Sequence, residues 1–177
     1  MKYELTNEKK ELLDRTLYRI RAVKDFELCD GTIIHAGELG GWIEKEYNLS
    51  QEGSAWVFGE AQVYGEAQVY GEARVYGEAW VYGEAWVYGK ARVYGEADIF
   101  KTEHYIVIGP AGSRHDCTTF YRNADNDISV SCGCFCGNLD AFLHAVEKTH
   151  GDSRHGLVYK KAAELARLQI ELEEQIV

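Results

Sequence analysis

Ala55-Trp56-Val57-Phe58-Gly59-Glu60 followed by Ala61-Gln62-Val63-Tyr64-Gly65-Glu66 opens a run that repeats every six residues as far as Ile99-Phe100. The alanines recur at Ala55, Ala61, Ala67, Ala73, Ala79, Ala85, Ala91 and Ala97. The aliphatics two places on are Val57, Val63, Val69, Val75, Val81, Val87, Val93 and Ile99. A helix would repeat its apolar positions every 3.6 residues, so a period of six excludes one. It suits a short strand and a turn: Ala and Val, two apart, share one side of a strand. That side faces inward, and Gly-Glu makes the corner, where glycine accepts tight backbone geometry. Three such sides close a triangular coil of 18 residues, and stacked coils pair their strands in parallel. The reading is a mainly β protein: a left-handed parallel β-helix of hexapeptide repeats over residues 53–101.

Residues 18 apart then stack on the outer surface. One face carries Phe58, Tyr76 and Tyr94 beside Trp56, Arg74 and Arg92. The second carries Tyr64, Tyr82 and Phe100 beside Gln62, Trp80 and Asp98. The third carries Tyr70 and Tyr88 beside Gln68 and Trp86. Such ladders stabilise a solenoid along its length. They also make exposed aromatic walls, and the walls at Trp80 and Tyr82 or at Trp86 and Tyr88 are expected to form an oligomer interface. A trimer is the expected form, by analogy with other triangular β-helices.

The flanks carry less periodicity. Thr6 or Asn7 is placed to cap a short helix containing Leu12, Leu13 and Leu17. Leu17 to Val23 alternates like a strand, and Asp30-Gly31 and Gly40-Gly41 read as turns. Residues 1–52 are therefore expected to give an N-terminal helix and irregular capping coils, since terminal repeats are usually atypical. Residues 102–177 are expected to form a small α+β domain. Its strands are read at Tyr105–Ile108, Cys117–Arg122 and Asp127–Cys132, with a turn at Gly109-Pro110-Ala111-Gly112. Two helices follow, one from about Leu139 to Thr149 capped by Asn138, the other from about Leu157 to Gln175 with Leu165, Leu168, Ile170 and Leu172.

The formal charge is −10, and no Lys/Arg cluster interrupts the acidic background. Broad capture of nucleic acid or of an anionic membrane is not expected, because both need a basic surface. The first ten residues show no apolar leader, and no apolar run nears the roughly 20 residues of a membrane span. The expected location is cytoplasmic. The five cysteines are odd in number, and four of them lie close together, which argues against a disulfide scaffold.

Three places offer chemistry. Gly109 to His115 is the best anion pocket: Ser113 can donate, Arg114 presents a planar fork, and His115 and His150 are further candidates. The ordinary reading is an exposed loop. The run Cys132-Gly133-Cys134-Phe135-Cys136, as one strand, would place three sulfurs on one side; Cys132 and Cys134 are the candidate zinc ligands. No Cys-x-x-Cys knuckle accompanies them, and free cysteines also pack as small apolar residues. No metal or other cofactor is expected. Acyl transfer, a frequent activity of hexapeptide β-helices, needs a base; the regular repeats hold no His, Ser or Cys, leaving His35 before them and His104 after.

Leu17-Tyr18-Arg19-Ile20-Arg21-Ala22-Val23-Lys24-Asp25-Phe26, Gly37-Glu38-Leu39-Gly40-Gly41-Trp42-Ile43-Glu44 and Asn48-Leu49-Ser50-Gln51-Glu52-Gly53 resemble hexapeptide-repeat proteins of phages and prophages in gut bacteria and Firmicutes. Gly109-Pro110, Gly112-Ser113-Arg114, Thr119-Phe120-Tyr121, Cys132-Gly133-Cys134-Phe135, Gly137 and His150-Gly151 resemble a C-terminal module of that family. The likeness covers nearly the whole chain. Cys117 and Cys136 are less typical of it, which counts against a three-cysteine metal site. The resemblance implies a phage setting in the bacterial cytoplasm. The expected function is non-enzymatic binding that counters host antiviral defence, through a small anionic nucleotide or a host defence protein. Acyl transfer and a purely structural assembly role are the alternatives.

Overall fold

The structure, a computed structural model, describes residues 1–173. It divides into two units: 1–96 with 100–102, and 97–99 with the chain from Glu103 onward.

The first unit opens with two antiparallel strands, β1 (Tyr3–Leu12) and β2 (Arg15–Ala22). The helix expected around Leu12 to Leu17 is not formed. Leu13 stands at the tip of the hairpin with φ 55° and is almost wholly exposed. Leucine rarely enters that left-handed region, so the turn carries none of the usual Gly or Asn signal. A small hairpin follows, β3 (Phe26–Glu27) and β4 (Ile33–Ile34), turning at Asp30-Gly31 as expected. Gly40 and Gly41, expected as a turn, lie inside β5 (Leu39–Ile43). A Cβ on Gly40 would come within 2.7 Å of Ile20 and the Val57 carbonyl, and one on Gly41 within 2.6 Å of the Ala61 carbonyl. These glycines mark close backbone approach within a strand.

The repeats then form two-residue strands: β6 (Trp56–Val57), β7 (Gln62–Val63), β8 (Gln68–Val69), β9 (Arg74–Val75), β10 (Trp80–Val81), β11 (Trp86–Val87) and β12 (Arg92–Val93). Pairing is parallel and 18 residues apart. Gln62 pairs with Trp80, Gln68 with Trp86, and Trp56 with Arg74, which pairs in turn with Arg92. The result is a β-solenoid of about three turns. Below it β5 joins the stack in parallel, Trp42 opposite Gln62.

Every repeat alanine and valine from Ala55 to Val93 has no solvent exposure. Outside, Phe58, Tyr76 and Tyr94 stack at 4.2 and 4.4 Å, and Tyr64 on Tyr82 and Tyr70 on Tyr88 at 5.1 Å. Corner glycines carry the turns. At Gly77, φ is 69°, and an added Cβ would meet the Gly95 backbone at 3.0–3.2 Å. Both the conformation and the stacking distance require glycine there.

The second unit begins with β13 (Asp98–Ile99). An antiparallel sheet follows: β14 (Tyr105–Ala111), β15 (Asp116–Arg122), β16 (Ile128–Cys132) and β17 (Phe135–Asn138), paired in chain order. The turn expected at Gly109–Gly112 comes later. β14 runs on through a cis Gly109–Pro110 bond to Ala111, and the chain reverses at Gly112–His115. α1 (Leu139–His150) is capped by Asn138, whose side chain accepts from the Ala141 N–H. α2 (Arg154–Gln169) starts three residues before its expected start and ends earlier, capped by Ser153. The part of that expectation on Glu174 and Gln175 lies outside the described residues.

The core is Phe120, Ile128, Val130, Leu139, Phe142, Val146, Tyr159, Ala162, Ala163, Ala166 and Ile170. α2 therefore packs through alanines and Tyr159. Leu165, Leu168 and Leu172, the leucines named for that helix, are exposed. Arg122 is buried and ion-paired with Asp98, which holds β13 to this sheet unit. Among the described residues no helix is long and apolar enough to cross a membrane.

Candidate functional site

A cavity of about 170 Å³ lies in the second unit, where two hairpin turns face the two helices. The turn after β14 supplies Ser113 and Arg114. The β16–β17 hairpin supplies Cys132, Cys134 and Phe135. α1 contributes Phe142, Val146, Thr149 and His150, and α2 contributes Tyr159. Sequence reading named Ser113, Arg114 and His150 as anion-site candidates and Cys132 and Cys134 as candidate zinc ligands, and the fold brings all five to one place. His115, the fourth ligand candidate, has φ 52° and is exposed, and it does not line the cavity.

Arg114 lies across the neighbouring turn. A Cβ at Gly133 would sit 2.6 Å from its Nη1, and its Nη2 is 3.9 Å from Cys134 Sγ. The Tyr159 ring passes so close to Gly112 that a Cβ there would fall 1.9 Å from the phenol oxygen. Ser113 and Cys132 lie against that hydroxyl. Burial pushes the Tyr159 phenol up, and Cys132 beside it adds to the rise while Ser113 opposes it. Tyr159 therefore stays a neutral hydroxyl at ordinary pH. Thr118 Oγ1 donates to Cys132 Sγ at 3.1 Å. The His150 ring stands 5.6 Å from Tyr159 and 6.2 Å from His155. Phe142 meets Tyr159 edge-on at 5.7 Å and Phe135 at 5.5 Å, forming an aromatic wall.

Arg114 is a fixed cation and His150 an ionisable one; Ser113, Thr149 and Tyr159 offer hydroxyls. Among the described residues no carboxylate lines the cavity. In a chain of net charge −10, that combination can hold an anion beside an apolar or aromatic group. Ligand pockets that bury a whole small molecule run to roughly 300–1,000 Å³, so this one accommodates part of a ligand.

The expectation of three sulfurs on one strand side does not hold. Gly133 and Cys134 form a turn, so Cys132 ends β16 and Cys136 lies in β17, opposite Ser131. Among the described residues no three His, Cys, Asp or Glu side chains are placed to hold a metal ion. All five cysteines are free thiols.

Of the aromatic walls, Trp80, Trp86 and Tyr88 are between 41% and 49% exposed, enough surface to contact another molecule. Trp80 and Tyr82 belong to one face of the solenoid, Trp86 and Tyr88 to another, so the four do not form a single patch. His35 is exposed with its Nδ1 3.3 Å from Asp25 Oδ2, and His104 is buried.

Sequence reading missed Tyr159, Phe142 and Phe135 as cavity residues. Tyr159 had a signal: Ala162, Ala163 and Ala166 follow it at helical spacing, which marks its face as the packed one. No model of a known protein family matches this chain, and no curated protein matches it.

Proposed function

We propose that this chain is a non-enzymatic binding protein whose α+β unit takes an anionic group of a small ligand in the Arg114–His150–Tyr159 cavity. One observation carries the reading: in a strongly acidic chain, this cavity gathers Arg114, His150 and three hydroxyls, with no carboxylate lining it among the described residues. Its aromatic wall suits the ring of a nucleotide. Together with the likeness to phage hexapeptide-repeat proteins, this supports a role in the bacterial cytoplasm against host antiviral defence, by sequestering a nucleotide signal. A host defence protein as target is the variant in which the cavity holds an acidic side chain. On this reading the solenoid is left-handed and joins subunits, three in number, through the exposed aromatic wall at Trp80 and Tyr82.

The test is titration of the whole protein with 5′-AMP and with inorganic phosphate, followed by NMR. Resonances of Ser113, His150 and Tyr159 are expected to shift saturably with 5′-AMP. Arg114→Ala is expected to weaken binding about tenfold or more, the cost of a charge-assisted hydrogen bond. Binding that leaves these resonances unmoved, or that survives Arg114→Ala at full strength, overturns the assignment of the cavity. Native mass spectrometry of protein recovered from bacterial extract then reads subunit number and any retained ligand mass together.

A further inference from the structure

The solenoid has a second cavity, of about 580 Å³, lined by Glu46, Tyr47, Ser50, Gln68, Tyr70 and Trp86 among others. Its volume falls within the range of small-molecule sites. Its origin is visible when equivalent faces of the solenoid are compared. On the face of β7 and β10, Trp80 stacks over Gln62, and Gln62 is only 5% exposed. An ammonium group fills that step. With the Gln62 amide turned to its donors, its oxygen accepts from Lys10 Nζ at 3.2 Å and from Trp80 Nε1 at 3.3 Å. Lys10 Nζ also sits 5.8 Å from the Trp42 ring and 3.6 Å from Glu60. The lysine comes from β1 of the N-terminal hairpin. On the face of β6 and β9, the β3–β4 hairpin similarly covers Arg74 with Asp30 and packs Phe26 on Trp56.

The face of β8 and β11 repeats the first arrangement, with Trp86 over Gln68. No residue of either N-terminal hairpin lines it. The Gln68 amide makes no hydrogen bond and the Glu46 carboxylate no ion pair among the described residues. Trp86 meets Tyr70 edge-on at 6.5 Å, so the two rings offer differently oriented surfaces. Lys45, next to Glu46 in the chain, is turned to the Tyr47 hydroxyl and Glu66 and does not line the cavity. No Lys or Arg lines it.

We infer that this cavity is a binding site for a small organic ammonium ion, held as the chain holds its own Lys10: an amide oxygen from Gln68, aromatic faces from Trp86 and Tyr70, and a carboxylate from Glu46. The site is separate from the anion cavity and is of opposite charge preference. Cation–π attraction and a facing carboxylate supply the selectivity.

The probe is n-butylammonium, which reproduces the end of a lysine side chain, and n-butanol is its neutral counterpart. The four Trp indole N–H resonances of the whole protein report binding, Trp86 being assigned by Trp86→Phe. n-Butylammonium is expected to shift the Trp86 and Gln68 side-chain signals saturably, in about the millimolar range, and to leave Trp42, Trp56 and Trp80 in place. Trp86→Ala is expected to weaken binding about threefold or more, and Glu46→Gln by about two- to fivefold. Arg114→Ala, in the other cavity, is expected to change nothing. Glu46→Gln touches no hydrogen bond of the fold, so it remains informative if Trp86→Ala is poorly folded. Equal binding of n-butanol overturns the inference, as does a shift unaffected by Glu46→Gln or the absence of any saturable shift.

Discussion

The solenoid and the α+β unit bury their apolar residues in different ways. In the solenoid each rung holds the same Ala-x-Val pair at zero exposure, and each rung touches its like above and below. Such a stack gains stability in repeated increments along one axis. The α+β unit has one centre, Phe142, in edge-on contact with Phe120 and Tyr159, both at 5.7 Å, and within 5.5 Å of Phe135. Its stability depends on a few large side chains meeting from four elements. The difference teaches where each unit can be modified: the solenoid tolerates change on its outer columns, while the α+β unit uses the same aromatic residues for its core and for its cavity wall.

Phe142→Ala is the strongest test of that contrast. Removing the ring is expected to cost about 3–5 kcal/mol in the α+β unit, read by denaturant unfolding and by loss of amide protection in β14–β17. Leu165→Ala, on the same pair of helices but at a half-exposed position, is expected to change stability by no more than about 0.5 kcal/mol. Comparable losses for the two would break the picture of a single aromatic centre. The same Phe142→Ala protein should also lose ligand response in the Arg114 cavity, since the ring lines it.

Legibility followed the same division. The hexapeptide period specifies every inward position of the repeats, because a solenoid projects its geometry directly onto sequence spacing. The flanks hid theirs. The Tyr3–Leu12 strand closes on Leu13 in a left-handed conformation, where a turn residue would have announced it. Gly40-Gly41 looked like a turn because glycine serves both tight turns and close backbone contact, and only the Ile20 and Val57 neighbours distinguish the two. On α2 the leucines misled: packing against the sheet selects small residues where backbones come close, so Ala162, Ala163 and Ala166 are inside and Leu168 is out. In the candidate site, Ser113, Arg114 and His150 were recognisable by their chemistry. Their convergence depends on two turns and two helices meeting, which spacing does not encode.

A sharper comparison lies within the solenoid. Gly77→Ala puts a Cβ on a left-handed residue and presses it to 3.0–3.2 Å from the Gly95 backbone. The expected loss is about 2–4 kcal/mol, the sum of conformational strain and overpacking. Gly89→Ala meets the same strain, with φ 65°, but nothing lies within 4 Å of its new Cβ. Its loss is expected to be about 1–2 kcal/mol. The difference between the two measures how tightly one coil sits on the next. Equal losses would mean that the corner spacing is slack and that conformation alone selects glycine.

The pH-dependent effect concerns a residue outside the repeat that joins its first coil. Lys2 is buried, donates from Nζ to the Ala55 carbonyl at 2.8 Å, and lies 5.6 Å from the Phe26 ring. Burial, with a smaller push from Lys24, lowers its ammonium to about 8. The unfolded chain keeps that proton up to its ordinary value near ~10.4. Between these values the folded state has released a proton that the unfolded state retains, so this group makes stability rise with pH across that window. Tyr3 acts in the other direction, since burial raises its phenol, but only above its ordinary value of 10.0. Thermal unfolding from pH 7 to 10 is therefore expected to show a gain of about 2 kcal/mol in the native chain relative to Lys2→Met. A flat difference between the two proteins would place the Lys2 amine in contact with water, and the N-terminal strand would then close the first coil through Tyr3 and its neighbours alone.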